Sequence, residues 1–138
     1  MKLFNFNPPH TWDELVSLKK KIRHSIPEVN RFPEELNFYE LYIKLVPKNI
    51  RLEIISQQIG NKDIKLLKNN FPYLKLTQHI DGIVHYCLWS RTGKLPKKVI
   101  ENEIKKIFPK EKYFWFENSA STKSIPEIWH CQVFVKLN

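Results

Sequence analysis

Glycine is scarce in this chain, with only Gly60, Gly82 and Gly93 among 138 residues. No cluster of glycines builds a loop whose backbone could wrap a phosphate, so the P-loop and dinucleotide-binding fingerprints are excluded. Cysteine is equally sparse. Cys87 and Cys131 are too few for a small secreted disulfide scaffold, and the N-terminal residues hold no apolar core of the kind a signal peptide needs. No apolar run approaches the roughly 20 residues that span a bilayer. The expected setting is a reducing intracellular compartment, cytoplasm or nucleus, with no membrane partner. Arginine is short as well: of 23 basic residues only Arg23, Arg31, Arg51 and Arg91 are arginines, against 19 lysines. Proteins that read bases or grip phosphates specifically lean on the bidentate arginine fork. A lysine excess therefore reads first as solvated surface.

What is present fits one domain over residues 1–138, with 42% apolar and 27% charged residues, enough for one core. No internal repeat or low-complexity segment occurs. The net charge is +9, spread nearly evenly over the two halves of the chain. It is locally dense between Arg91 and Lys112, where eight basic residues face three acidic ones.

Residues 1–69 read as mainly helical. Thr11 can cap a helix with Glu14 completing a capping box; Trp12, Leu15, Leu18 and Ile22 form its inner face and Pro27 stops it. Pro33 suits the first turn of a second helix, with Phe32, Leu36, Tyr39, Ile43 and Val46 on one face and Pro47 at its end. A third helix is expected over Asn49–Ile59, closed by Gly60. A short fourth is expected after Asn61, carrying Ile64, Leu66 and Leu67.

From Asn70 the character changes. Ile83–Trp89 is β-branched and aromatic after an Asp81-Gly82 turn signal, which predicts a strand. Pro96 opens a helix to Phe108 with Val99, Ile100, Ile104, Ile107 and Phe108 inward. Tyr113–Glu117 and Ile128–Val135 read as two further strands around a polar loop at Asn118–Pro126. The fold class is α+β: N-terminal helices, then a strand–helix–strand–strand unit forming a small antiparallel-rich sheet.

The last strand carries the chemistry. Alternation places His130 and Gln132 on one face and Trp129, Cys131, Val133 and Val135 on the other. An imidazole can act as nucleophile or proton donor, and the amide beside it can donate a hydrogen bond to an anionic oxygen. His85 shares its strand face with Cys87 and Trp89. If the two strands are neighbours, His85 and His130 can share a pocket, and Cys87 can approach Cys131. No Cys–X2–Cys or His–X3–His pair occurs, so neither a metal nor another cofactor is expected. Trp89, ending its strand beside Ser90, Arg91 and Thr92, is a candidate for stacking on a ligand. Lys123 and Ser124 lie in a hydroxyl-rich loop able to bind phosphate.

Three resemblances extend this reading. Thr11-Trp-Asp-Glu-Leu15, Phe32-Pro-Glu-Glu-Leu36, Asn70-Phe-Pro-Tyr73, Asp81-Gly-Ile-Val-His85 through Trp89-Ser-Arg-Thr92, Trp115-Phe-Glu-Asn118, Ser124 and Trp129-His130 occur in an order that resembles the N-acetylglucosamine-induced protein family, small intracellular proteins of unknown function. That family tends to end in a His–X–His strand, where this chain has Gln132. Phe116-Glu-Asn118 followed by His130-Cys-Gln132-Val-Phe134 is similar to the active-site strands of the histidine-triad and galactose-1-phosphate uridylyltransferase superfamily. That resemblance implies His130 as nucleophile, Gln132 as phosphate ligand and Asn118 as a positioning residue. The order strand–helix–strand–strand, with Trp89 ending the first strand, is similar to the C-terminal half of the messenger-RNA cap-binding initiation factor. There Trp89 would meet a base, and Arg91 and Lys123 would hold phosphates.

The leading expectation is a domain that binds a phosphorylated ligand, a nucleotide or nucleotide-sugar, near His130, with phosphoryl or nucleotidyl transfer if it is an enzyme. The alternatives are a non-enzymatic RNA or cap-binding module using Trp89 and the basic stretch 91–112, and a protein-interaction or structural domain marked by an exposed apolar patch.

Overall fold

Proline and glycine punctuate the chain as its local chemistry dictates. The structure, a computed structural model, describes Trp12, Asp13, Val16 and residues 33–69, 82–117 and 127–137. Most of the expected first helix, the segment around Asn70–Tyr73 and the polar loop at 118–126 lie outside the described residues. Helix α1 spans Pro33–Leu45 and helix α2 Lys48–Ile59. Pro47 separates them in an extended conformation, and its carbonyl accepts the first helical bond of α2, from the Arg51 N–H at 3.0 Å. Pro96 plays the same part for α3, Lys97–Ile107, accepting from the Ile100 N–H at 3.1 Å. At the other end of α2, Gly60 adopts φ +67°, open to glycine at little cost, and its N–H bonds the Ser56 carbonyl.

The chain then departs from expectation. Ile64–Lys68 is a strand, β1, where the sequence suggested a helix carrying Ile64, Leu66 and Leu67. The segment Ile-Lys-Leu-Leu-Lys is short enough to fit either period. Antiparallel pairing to β2, Ile83–Ser90, decides it, because Ile64 and Leu66 then meet the core while Leu67 faces the other side. Strands β3, Lys112–Phe116, and β4, Trp129–Lys136, complete a four-stranded sheet in the order β1-β2-β4-β3, antiparallel at every joint. The architecture is α+β, with helices first.

Each face of the sheet has its own core. On one face Leu88, Cys131, Val133 and Val135 pack under Leu95 and under Ile100 and Ile104 of α3, all buried. Full burial of each such aliphatic chain stabilises the fold by roughly 1.5–3 kcal/mol. Ile107 does not join them. It is 56% exposed, because Phe108 takes the inward direction at the helix end and its ring lies 5.4 Å from that of Tyr86. On the other face α2 contributes Leu52, Ile55 and Ile59, packed with Cys87, Trp89, Leu67 and Ile128. Further along that face Phe134 stacks between His85, with ring centroids at 4.1 Å, and Phe114 at 5.1 Å. In α1, Tyr39 and Ile43 are half-buried as expected, as is Val46 just after it, while Phe38, Leu41 and Leu45 are exposed.

Candidate functional site

The β2–β4 ladder sets the polar geometry. Trp89 stands opposite His130, Cys87 opposite Gln132, and His85 opposite Phe134. His85, Cys87, Trp89, His130 and Gln132 therefore project from one face, as alternation predicts. All five are buried. His85 and His130 share this face but not a rung. They stand four rungs apart, roughly 13 Å along the strands, and the Cys87–Gln132 pair occupies the interval on this face. Cys87 and Cys131 do not approach each other: they lie on opposite faces, each a buried thiol outside any disulfide.

Between the histidines lies a hydrogen-bonded cluster. Gln132 Oε1 accepts from His85 Nε2 at 2.6 Å, which places a proton on that nitrogen. The same oxygen lies 3.4 Å from both the Asn69 Nδ2 donor and the Cys87 Sγ donor. With its carbonyl occupied, Gln132 offers a ligand only the two donors of its amide nitrogen. Asn69, just beyond β1, was not singled out from sequence. It enters because the strand pairing brings β1 alongside β2, where its backbone N–H bonds the His85 carbonyl. No local pattern marks it.

His130 sits at the other end. Its Nδ1 lies 3.1 Å from the Ile128 carbonyl. A carbonyl can only accept, so Nδ1 carries the proton and the lone pair of a neutral ring is on Nε2. Of the two ring nitrogens, Nε2 is therefore the one able to act as nucleophile or general base. The ring stacks on Trp89 with centroids 4.1 Å apart and planes 30° apart. Trp89 is thus a buried partner of His130 and a member of the α2-side core.

Helix α2 crosses this end of the sheet and is anchored at both termini. At its C-terminus Arg91 donates to the Ser56 and Gly60 carbonyls at 2.7 and 2.9 Å and to Ser56 Oγ at 3.2 Å. The Arg91 guanidinium, expected as a phosphate ligand, thus caps the C-terminal carbonyls of a helix. At the N-terminus Lys48 pairs with Glu127, two residues before Trp129. The hydrogen bond from Lys48 holds the Glu127 carboxyl below the usual carboxylate range, and the Arg51 charge acts in the same sense. Arg51 itself is buried, donating from Nη1 to the Ile43 and Val46 carbonyls at 3.0 and 2.7 Å, which joins α1 to α2.

Asn118, Lys123 and Ser124 lie outside the described residues. The basic stretch 91–112 runs from the turn after β2, where Arg91 reaches α2, through α3, which packs on the face opposite Trp89 and His130. Lys97, Lys98, Lys105 and Lys106 are exposed there. Trp89 and these lysines therefore do not form one surface. A groove of about 440 Å³ lined by Trp12, Val16, Glu111, Lys112, Tyr113 and Phe114 lies toward β3 and includes none of the histidines.

No protein-family model matches the chain, and no curated protein matches it. Among solved structures it is similar to the crystal structure of HTC1, with a TM-score of 0.64 at 15% sequence identity over 94% of this chain and 86% of that one. At that identity the likeness is one of fold.

Proposed function

We propose that this domain binds a phosphorylated small molecule, a nucleotide or nucleotide-sugar, at the His130 end of the polar sheet face, with His130 as the group that meets the phosphorus. The observation carrying this reading is the tautomer of His130: donation from Nδ1 to the Ile128 carbonyl leaves the lone pair on Nε2. In a transfer step Nε2 attacks phosphorus, forming an N–P bond as the P–O bond to the leaving group breaks. An acceptor hydroxyl then attacks phosphorus, the N–P bond breaks with its electron pair returning to Nε2, and the hydroxyl proton passes to the departed oxyanion or to water, which leaves the ring neutral. Trp89, stacked against the ring, stabilises the positive charge that the imidazole carries in between. The Gln132 amide N–H groups serve phosphate oxygens. Asn118, Lys123 and Ser124 are the further phosphate ligands of this reading.

A nucleic-acid site joining Trp89 to residues 91–112 is disfavoured because Trp89 is buried and α3, which carries Lys97, Lys98, Lys105 and Lys106, packs on the opposite face of the sheet. Titration calorimetry with AMP, UMP and UDP-glucose tests the proposal. Binding by the wild-type protein, at least tenfold weaker in His130→Ala, is expected. Undiminished binding by His130→Ala, or no binding by wild type, overturns it.

A further inference from the structure

Because residues 64–68 form a strand, one cation enters the His130 face that no local pattern placed there. Lys65 stands directly opposite Trp89, and Trp89 directly opposite His130. The three residues make one cross-strand row, Lys–Trp–His, with all side chains on the same face. The row spans two inter-strand spacings, roughly 10 Å between the outer Cα atoms. The four-carbon stem of Lys65 is long enough to lie across the indole toward His130. Lys65 is half-buried, whereas Lys68, the other lysine of this strand, is exposed.

Three other described cations near this end are already engaged, and Lys62, in the turn before β1, is exposed. Arg91 holds the C-terminus of α2, Lys48 pairs with Glu127, and Arg51 holds the α1 carbonyls. Lys65 makes no ion pair or hydrogen bond among the described residues. Lys65, half-buried as a residue and without an anion among the described residues, stands in the same row as a histidine of fixed tautomer and is suited to a ligand that brings the negative charge.

We propose that Lys65 is the phosphate-neutralising residue of the His130 site, in place of Arg91. This rests on the phosphorylated-ligand reading above and specifies which side chain meets the charge. The competing explanation is that Lys65 guards β1 against edge-to-edge pairing.

Calorimetry on Lys65→Met and Lys65→Arg separates the two, with AMP and UMP as probes and sodium chloride varied at each. Circular dichroism and melting temperature check that each variant keeps the wild-type fold. Lys65→Met is expected to bind at least tenfold more weakly and with a shallower dependence on salt, since one ionic contact is gone. Lys65→Arg is expected to recover most of the affinity. If Lys65→Met binds both probes as wild type does while His130→Ala does not, the site stands and the role of Lys65 is overturned. If wild type binds neither AMP, UMP nor UDP-glucose, the phosphorylated-ligand reading falls and the role of Lys65 falls with it.

Discussion

Gln132 Oε1 is an acceptor shared by His85, Asn69 and Cys87, all on a buried sheet face. A buried donor that loses its acceptor forfeits the hydrogen bond and keeps the desolvation penalty. Gln132→Leu is therefore expected to destabilise the protein by about 1–3 kcal/mol, read as a lower urea midpoint with an unchanged slope. His85→Leu combined with Gln132→Leu is expected to cost less than the two single changes summed, because the double variant strands fewer donors. Additive costs would show that the 2.6 Å contact contributes little. The residues of this cluster were only partly legible. Period-two alternation identified His85, Cys87, Trp89, His130 and Gln132 as side chains of one face each. Alternation says nothing about what stands across the ladder, so Asn69 and the His85–Gln132 bond were not readable.

At the scale of elements, α2 owes its place to attachments at both ends. Arg91 reaches three acceptors in the last turn and C-terminal cap of α2 from the turn following β2. Arg91→Ala is expected to cost about 1 kcal/mol, discounted for exposure. It is also expected to speed amide exchange in residues 56–60, measured by hydrogen–deuterium exchange. Arg91→Lys restores only part of this, since one ammonium cannot bridge acceptors that a planar fork spans. Element boundaries set by proline and glycine were legible: Pro33, Pro47, Gly60 and Pro96 mark ends that the chain adopts within a residue or two. Strand β1 was not legible. Its five residues carry no turn signal and no unambiguous period, and its identity comes from the open edge of β2. Ile107 failed for a related reason: a helical face drawn from periodicity does not record where the underlying sheet ends.

Over the whole molecule, the two faces of the sheet divide the labour. One buries α3 and leaves its lysines exposed; the other holds the histidines, the tryptophan and α2. A net charge of +9 makes each favourably placed carboxylate count toward acid stability. Glu127 is one of these. Its carboxyl is held below its ordinary range in the folded protein, first by the Lys48 hydrogen bond. The stabilisation is thus fully present above the unfolded carboxylate pKa and is lost as pH falls through the lower folded value. Glu127→Gln is expected to lower the melting temperature slightly at neutral pH, by little because the pair is exposed, and to converge with wild type as pH falls through the folded Glu127 value, which flattens that part of the acid limb. A steeper acid limb in the variant would refute the assignment.

The sequence by itself determined which side chains share a strand face, where most helices begin and end, and that helices precede an antiparallel sheet. These depend on local sterics and on periods of two and 3.6 residues. Only the tertiary structure decided that β4 lies between β2 and β3, that Gln132 meets a histidine 47 residues away and an asparagine 63 residues away, and that Lys65 falls in line with Trp89 and His130. Register between strands distant in sequence is a property of the assembled sheet, fixed by burying two faces at once, and no single segment encodes it.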